Sequence, residues 1–142
     1  RQHDEVKQLF KECESLGESE FKRRSEIVEQ ITQKLRLHTE IEEEILYPAV
    51  KSVDSDLVLE AFEEHHMIKI LLEELANTSP SNERYVAKLH VLQEMVENHI
   101  QEEEGTLFPE IRESCGMDKI DELGTKLQQR FDELLKGVAK SR

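Results

Sequence analysis

Two stretches decide the fold: His38-Thr-Glu-Ile-Glu-Glu-Glu-Ile-Leu-Tyr-Pro-Ala-Val50 and His99-Ile-Gln-Glu-Glu-Glu-Gly-Thr-Leu-Phe-Pro-Glu-Ile111. Each carries His-x-x-x-Glu, then a hydrophobic-aromatic-Pro triplet. At that spacing both polar side chains share one face of a helix, about one turn apart. Outward from these stretches, apolar residues recur at intervals of three and four, the period of a helix with one buried face. The second seam runs Val28, Ile31, Leu35, His38, Glu42, Ile45, Ala49, and the fourth runs Tyr85, Leu89, Leu92, Val96, His99, Glu103, Thr106. The first (His3, Val6, Phe10, Cys13) and the third (Val58, Ala61, His65, Ile68, Leu72, Leu75) also place a histidine among apolar residues. The fifth, Ile120, Leu123, Leu127, Phe131, Leu134 and Val138, has no polar interruption.

The composition agrees with an all-α reading. The 142 residues include five Gly, three Pro and no Trp, and 36% are charged, the make-up of a helical protein with few breaks. Breaks at 16–19, at Pro48 with 52–56, at 77–82 and at 114–116 leave five helical stretches, about 2–16, 20–47, 55–77, 81–108 and 117–139. Asp54, Ser55 or Asp56 can cap the third, Ser79-Pro80 can start the fourth, and Asp118 can start the fifth. Pro48 and Pro109 are expected to end or kink their helices. There is no low-complexity linker, so residues 1–142 read as one domain. Its bundle covers about 2–112 and the extra C-terminal helix about 117–139, packed on the outside or against another subunit of a homo-oligomer.

The net charge of −13 argues against nucleic acid and against an anionic membrane surface, both of which call for a basic patch. No apolar run is long enough to span a bilayer, and the first residues do not read as a signal peptide. Cys13 and Cys115, with no CxxC, suit a reducing, cytoplasmic setting.

A carboxylate on an apolar seam is costly unless compensated. No Lys or Arg on the same seams is placed to pair with Glu42 or Glu103. Four imidazoles and two carboxylates pointing into one interior are a donor set for a divalent metal pair. The chain also repeats itself: residues 3–50 lie over 65–111, with 35 residues from His3 to His38 and 34 from His65 to His99. Each half is a helical hairpin offering His, then His-x-x-x-Glu. Two hairpins related by a pseudo-two-fold make a four-helix bundle. The overlay selects His65 rather than the adjacent His66 as the inward residue.

On the order His3, His38-x-x-x-Glu42, His65, His99-x-x-x-Glu103, with Leu46-Tyr47-Pro48 and Leu107-Phe108-Pro109 flanking, the sequence resembles the hemerythrin family and its HHE cation-binding domains. The resemblance covers about residues 3–111. It implies an up-and-down four-helix bundle around a non-haem di-iron centre, with two Fe ions bridged by oxo, hydroxo or carboxylate groups; Mn or Zn are alternatives. By the same resemblance Glu42 and Glu103 bridge the metals and His3, His38, His65 and His99 are terminal ligands. Oxygen-carrying hemerythrins have a further histidine one turn after the third-helix histidine, where this chain has Lys69. The implied His4Glu2 site shifts the expectation from reversible oxygen carriage to binding of, or reaction with, O2 or peroxide. Its alternative is an iron- or oxygen-responsive sensor or storage module that acts through a partner without catalysis.

The remaining residues take plainer readings. His66 and His90 read as surface groups, and Glu43, Glu44, Glu102 and Glu104 as a solvated acidic face. Tyr47 and Phe108 read as core packing near the bundle end, and Cys13 as a small buried apolar residue. Ferritin-type sites need paired Glu-x-x-His motifs, of which only Glu63-Glu-His-His66 exists here. No His-Glu-x-x-His, Walker loop, dinucleotide fingerprint or nucleophile elbow is present.

Overall fold

The computed structural model describes residues 2–17 and 19–140. These form helices and turns, with no strand among them, as the composition implied. α1 is Gln2–Glu14 and α2 is Phe21–Ile41; α2 runs on through a π-helical turn, Glu42–Leu46, into α3, Tyr47–Val50. α4 is Ser55–Ala76. α5, Glu83–Glu102, passes through a second π-helical turn, Glu103–Leu107, into α6, Phe108–Ser114, and α7 is Met117–Lys140.

Side-chain caps set the starts of α4 and α5. The Leu57 N–H donates to Asp54 Oδ1 at 3.1 Å, one of the three caps expected for α4. α5 starts three residues later than Ser79-Pro80 suggested. Asn82 is its cap, with Oδ1 accepting the Arg84 N–H at 2.8 Å, while Ser79 and Ser81 bond to each other in the turn before it. α7 begins at Met117, one residue before Asp118.

The two prolines do not end their helices. Just before each, the backbone widens by one residue: Tyr47 N–H bonds to Glu42 O, and Phe108 N–H to Glu103 O, each an i to i−5 bond. Proline lacks the N–H of a regular turn, and its ring clashes with the carbonyl four residues back. A π-turn immediately upstream relaxes that clash. The extra residue also slips the apolar seam by one. Leu46 and Val50, and Leu107 and Ile111, are buried, whereas Ile45 and Ala49 are only half-buried and Thr106 is exposed. Beyond Glu42 and Glu103 the uninterrupted period-3.6 reading is therefore corrected.

The contacts divide the chain into two compact units, 1–36 with 63–100, and 37–62 with 101–142; α2, α4 and α5 contribute to both. The first unit closes on a core of Phe10 and Cys13 from α1, Ile27 and Ile31 from α2, Ile68 and Leu72 from α4, and Leu89 and Leu92 from α5. Lys34 pairs with Glu5 at 3.1 Å on its surface, an exposed contact of small energetic weight. The second unit closes on Leu46, Tyr47, Val50, Val58, Ala61, Leu107 and Ile111. Onto that core α7 lays Ile120, Leu123 and Leu127, so the N-terminal half of the last helix covers its own chain. Arg130 of α7 donates through Nε to Glu44 at 2.8 Å, and Glu44 thus has a partner on the acidic face read as solvated.

Candidate metal centre

In the second unit, α2 delivers His38, the π-turn that follows delivers Glu42, and the π-turn after α5 delivers Glu103. The two carboxylates are 3% and 2% exposed. His38 Nε2 lies 3.1 Å from Glu42 Oε1 and 3.9 Å from Glu103 Oε1. One donor atom from each of the three lies within 4.8 Å of the others. No lysine or arginine is needed to hold this pair of buried carboxylates, because an imidazole and a phenol stand against them.

The phenol is Tyr47. It is fully buried, and its hydroxyl lies 2.9 Å from Glu103 Oε2 and 3.2 Å from Glu42 Oε1. Its ring packs edge-on against Phe62, with centroids 5.2 Å apart. The expectation that Tyr47 is only packing is therefore corrected: the body packs, and the hydroxyl reaches both carboxylates. The π-turn is the cause. It turns the residue five places after Glu42 back toward Glu42, where a regular helix would turn it past. Phe108, in the matching place of the other half, has no hydroxyl and is half-buried.

The electrostatics follow from this packing. Burial by itself lowers the His38 pKa. The Glu42 charge and the hydrogen bonds to Glu103 and Glu42 oppose that and raise it from the ordinary 6.5 to about 10. Burial, then the charges of Glu42 and Glu103, drive the Tyr47 phenol well above its ordinary value, so it keeps its proton and donates it.

In the first unit, α4 delivers His65 and α5 delivers His99, 0% and 4% exposed. Their Nε2 atoms face each other at 3.0 Å, with ring centroids 4.6 Å apart. His99 Nδ1 lies 2.7 Å from Glu64 Oε1. A carboxylate there accepts from Nδ1–H, which fixes the tautomer and leaves Nε2 as a lone-pair donor. With that tautomer His65 Nε2–H donates to His99 Nε2, and two imidazole nitrogens that share one proton at this distance have the donor chemistry that fits a metal ion. Glu64 was not singled out in the sequence because it lies 35 residues from His99 and carries no local signal. His3 lies near the start of α1 and is half-buried. His66, Lys69 and His90 are exposed.

The residues described so far are thus His/Glu groups with the donors to hold metal ions, His38, Glu42 and Glu103 in one unit and His65 and His99 in the other. Among solved structures, the chain is similar to a hemerythrin HHE cation binding domain-containing protein from Mycobacterium kansasii. The TM-score is 0.77 at 21% identity, covering 97% of this chain and 87% of that one. That likeness establishes the fold, a hemerythrin-like helical bundle with an added C-terminal helix. A DNA nickase from a Nostoc species is 32% identical over 138 residues, 91% of this chain, and this chain spans 38% of the nickase's length. The family model for the hemerythrin HHE cation binding domain matches residues 1–111, a span that includes His3, His38, Glu42, Glu64, His65, His99 and Glu103. The chain therefore belongs to the hemerythrin HHE cation-binding domain family.

Proposed function

We propose that this chain is a non-haem di-iron protein that binds or reacts with O2 or peroxide. In this reading His3, His38, Glu42, His65, His99 and Glu103 would be the residues that hold the metal ions. The observation that carries it is the His65–His99 approach, two buried imidazoles at 3.0 Å with the tautomer of one set by Glu64. The 3.0 Å contact is a hydrogen bond between the two imidazoles, and a metal ion would take the place of its proton. When bound, the metal pair supplies Lewis acidity and electrons for oxygen chemistry.

The protein residues have separate tasks. Glu42 and Glu103 supply the negative charge that offsets the cations. His38 gives up its proton to become a ligand. The Tyr47 hydroxyl orients the carboxylate oxygens and places a proton beside the site. The buried core around it excludes bulk water.

The donor set suits iron, and manganese or zinc would meet the same residues. An acidic chain of net charge −13 favours a small oxidant over nucleic acid as the partner, so the nickase activity of the longer relative is not carried over. No described helix is long and apolar enough to cross a membrane, and two unpaired thiols fit a reducing cytoplasm. Metal analysis of aerobically purified protein is expected to give about two irons per chain, with a near-ultraviolet absorption band that peroxide perturbs. A chain that purifies without metal and takes up none on reconstitution overturns the proposal.

A second reading, an iron-responsive module that acts through a partner, is favoured by the burial of Glu42, Glu103, His65 and His99. Their mutual charges and dipoles are best neutralised by a cation, so metal occupancy should set how well the helices order. It predicts the same metal content, a large drop in melting temperature on chelation, and no turnover of peroxide.

A further inference from the structure

The first unit contains a cavity of about 580 Å3 at the end of α1 and the starts of α2 and α5. Phe10, Leu16, Phe21, Val86 and Leu89 form an apolar part of its wall, beside the polar side chains of Ser81, Asn82, His90 and Gln93. Phe21 and Val86 are large apolar side chains left 40% and 38% exposed, and both face this space. One wall is different. Arg24 lines the cavity and is only 5% exposed. Its guanidinium donates to the Gly17 carbonyl at 2.9 Å and has no carboxylate partner among the described residues. A guanidinium has five N–H donors, and a buried cation without a counter-charge is costly. His90, also on the cavity wall, is nine residues from His99 on α5, about 13 Å along the helix. The cavity is thus separate from the candidate metal residues of this unit.

We propose that this cavity binds a small amphiphilic monocarboxylate. The carboxylate accepts from the Arg24 guanidinium, and the alkyl body covers Phe21 and Val86. The volume lies within the roughly 300–1,000 Å3 of small-molecule sites. A planar carboxylate matches the guanidinium fork. The first turn of α5, capped by Asn82 at the cavity wall, adds favourable N–H dipoles. Glu14 and Glu83 stand at the rim, both exposed. Their charges disfavour a dianionic head such as a phosphate monoester and leave a single negative charge as the better fit.

The test is calorimetric titration of the whole metal-loaded chain with sodium octanoate, 1-octanol and octyl phosphate. Octanoate is expected to bind at least tenfold more tightly than the other two. Arg24→Met is expected to remove that preference and leave octanol binding within about twofold. Val86→Trp, a change at a partly exposed wall residue, is expected to weaken octanoate and octanol alike by tenfold or more. The comparison of probes on the unaltered chain requires no variant, so a misfolded Arg24→Met protein does not leave the question open. Equal affinity for octanoate and octanol, tighter binding of octyl phosphate, or no binding of octanoate overturns the proposal.

Discussion

The hydroxyl of Tyr47 stands 2.9 Å from Glu103 Oε2 and 3.2 Å from Glu42 Oε1, so one proton serves two buried carboxylates contributed by different helical segments. Tyr47→Phe deletes that donor and keeps the ring packed on Phe62. A buried polar group that loses its hydrogen-bonding partner costs about 1–3 kcal/mol. Thermal unfolding of metal-free Tyr47→Phe is expected to show a loss in that range. With metal bound the loss should be smaller, because the cations then neutralise the carboxylates. Equal losses in both forms would mean that the hydroxyl serves only packing.

Glu64 sets which nitrogen of His99 carries the proton. Glu64→Gln retains the size and the reach to Nδ1 but removes the charge that holds Nδ1–H in place. Partners of metal-bound histidines typically contribute 10–100-fold in affinity. A competitive titration against a chelator of known affinity is expected to show weakening of that order, with the helical content unchanged. An unchanged affinity would show that His99 takes its tautomer without help.

Most of the fold, and the buried histidines, were legible because they obey one period. Val28 to Glu42 and Tyr85 to Glu103 keep strict three-and-four spacing, and Glu42, His65, His99 and Glu103 are buried where that spacing puts them. The period slipped by one residue at the next seam position after each glutamate, where a π-turn adds a residue and burial passes to Leu46 and Leu107. The only local trace of that turn is the proline that follows it, and a proline inside a helical pattern more often marks an end. Tyr47 was misjudged for the same reason, since its place relative to Glu42 depends on the wide turn. Arg24 and the cavity beside it depend on packing among α1, α2 and α5, which no single-helix pattern encodes.

Gly105 sits in the second π-turn at an exposed position, with no positive φ and nothing within 4 Å of where a Cβ would stand. No steric requirement for glycine exists there. Gly105→Ala removes backbone freedom from the unfolded chain at no cost to the folded one. It is expected to stabilise the protein by roughly 0.5–1 kcal/mol, read as a shift in the denaturant midpoint with an unchanged slope. Destabilisation instead would show that the π-turn uses glycine's backbone freedom during function or folding.

His38 links pH to both stability and metal uptake, with opposite consequences. In the metal-free protein its pKa is raised to about 10 from the ordinary 6.5, by Glu42 and Glu103 acting against burial. A histidine raised in the folded state contributes stability fully below its unfolded value. That contribution fades as pH rises above 6.5 and is gone above about 10. The metal-free protein is therefore expected to lose stability between pH 7 and pH 10, and His38→Gln should flatten that slope. Coordination needs the neutral imidazole, so at pH 7.5 a bound metal must displace the His38 proton. Calorimetry of metal binding at pH 7.5 in buffers of differing ionisation enthalpy is expected to show about one proton released per chain that His38→Gln no longer releases. Equal proton release by the two proteins would mean that His38 is already neutral before the metal arrives.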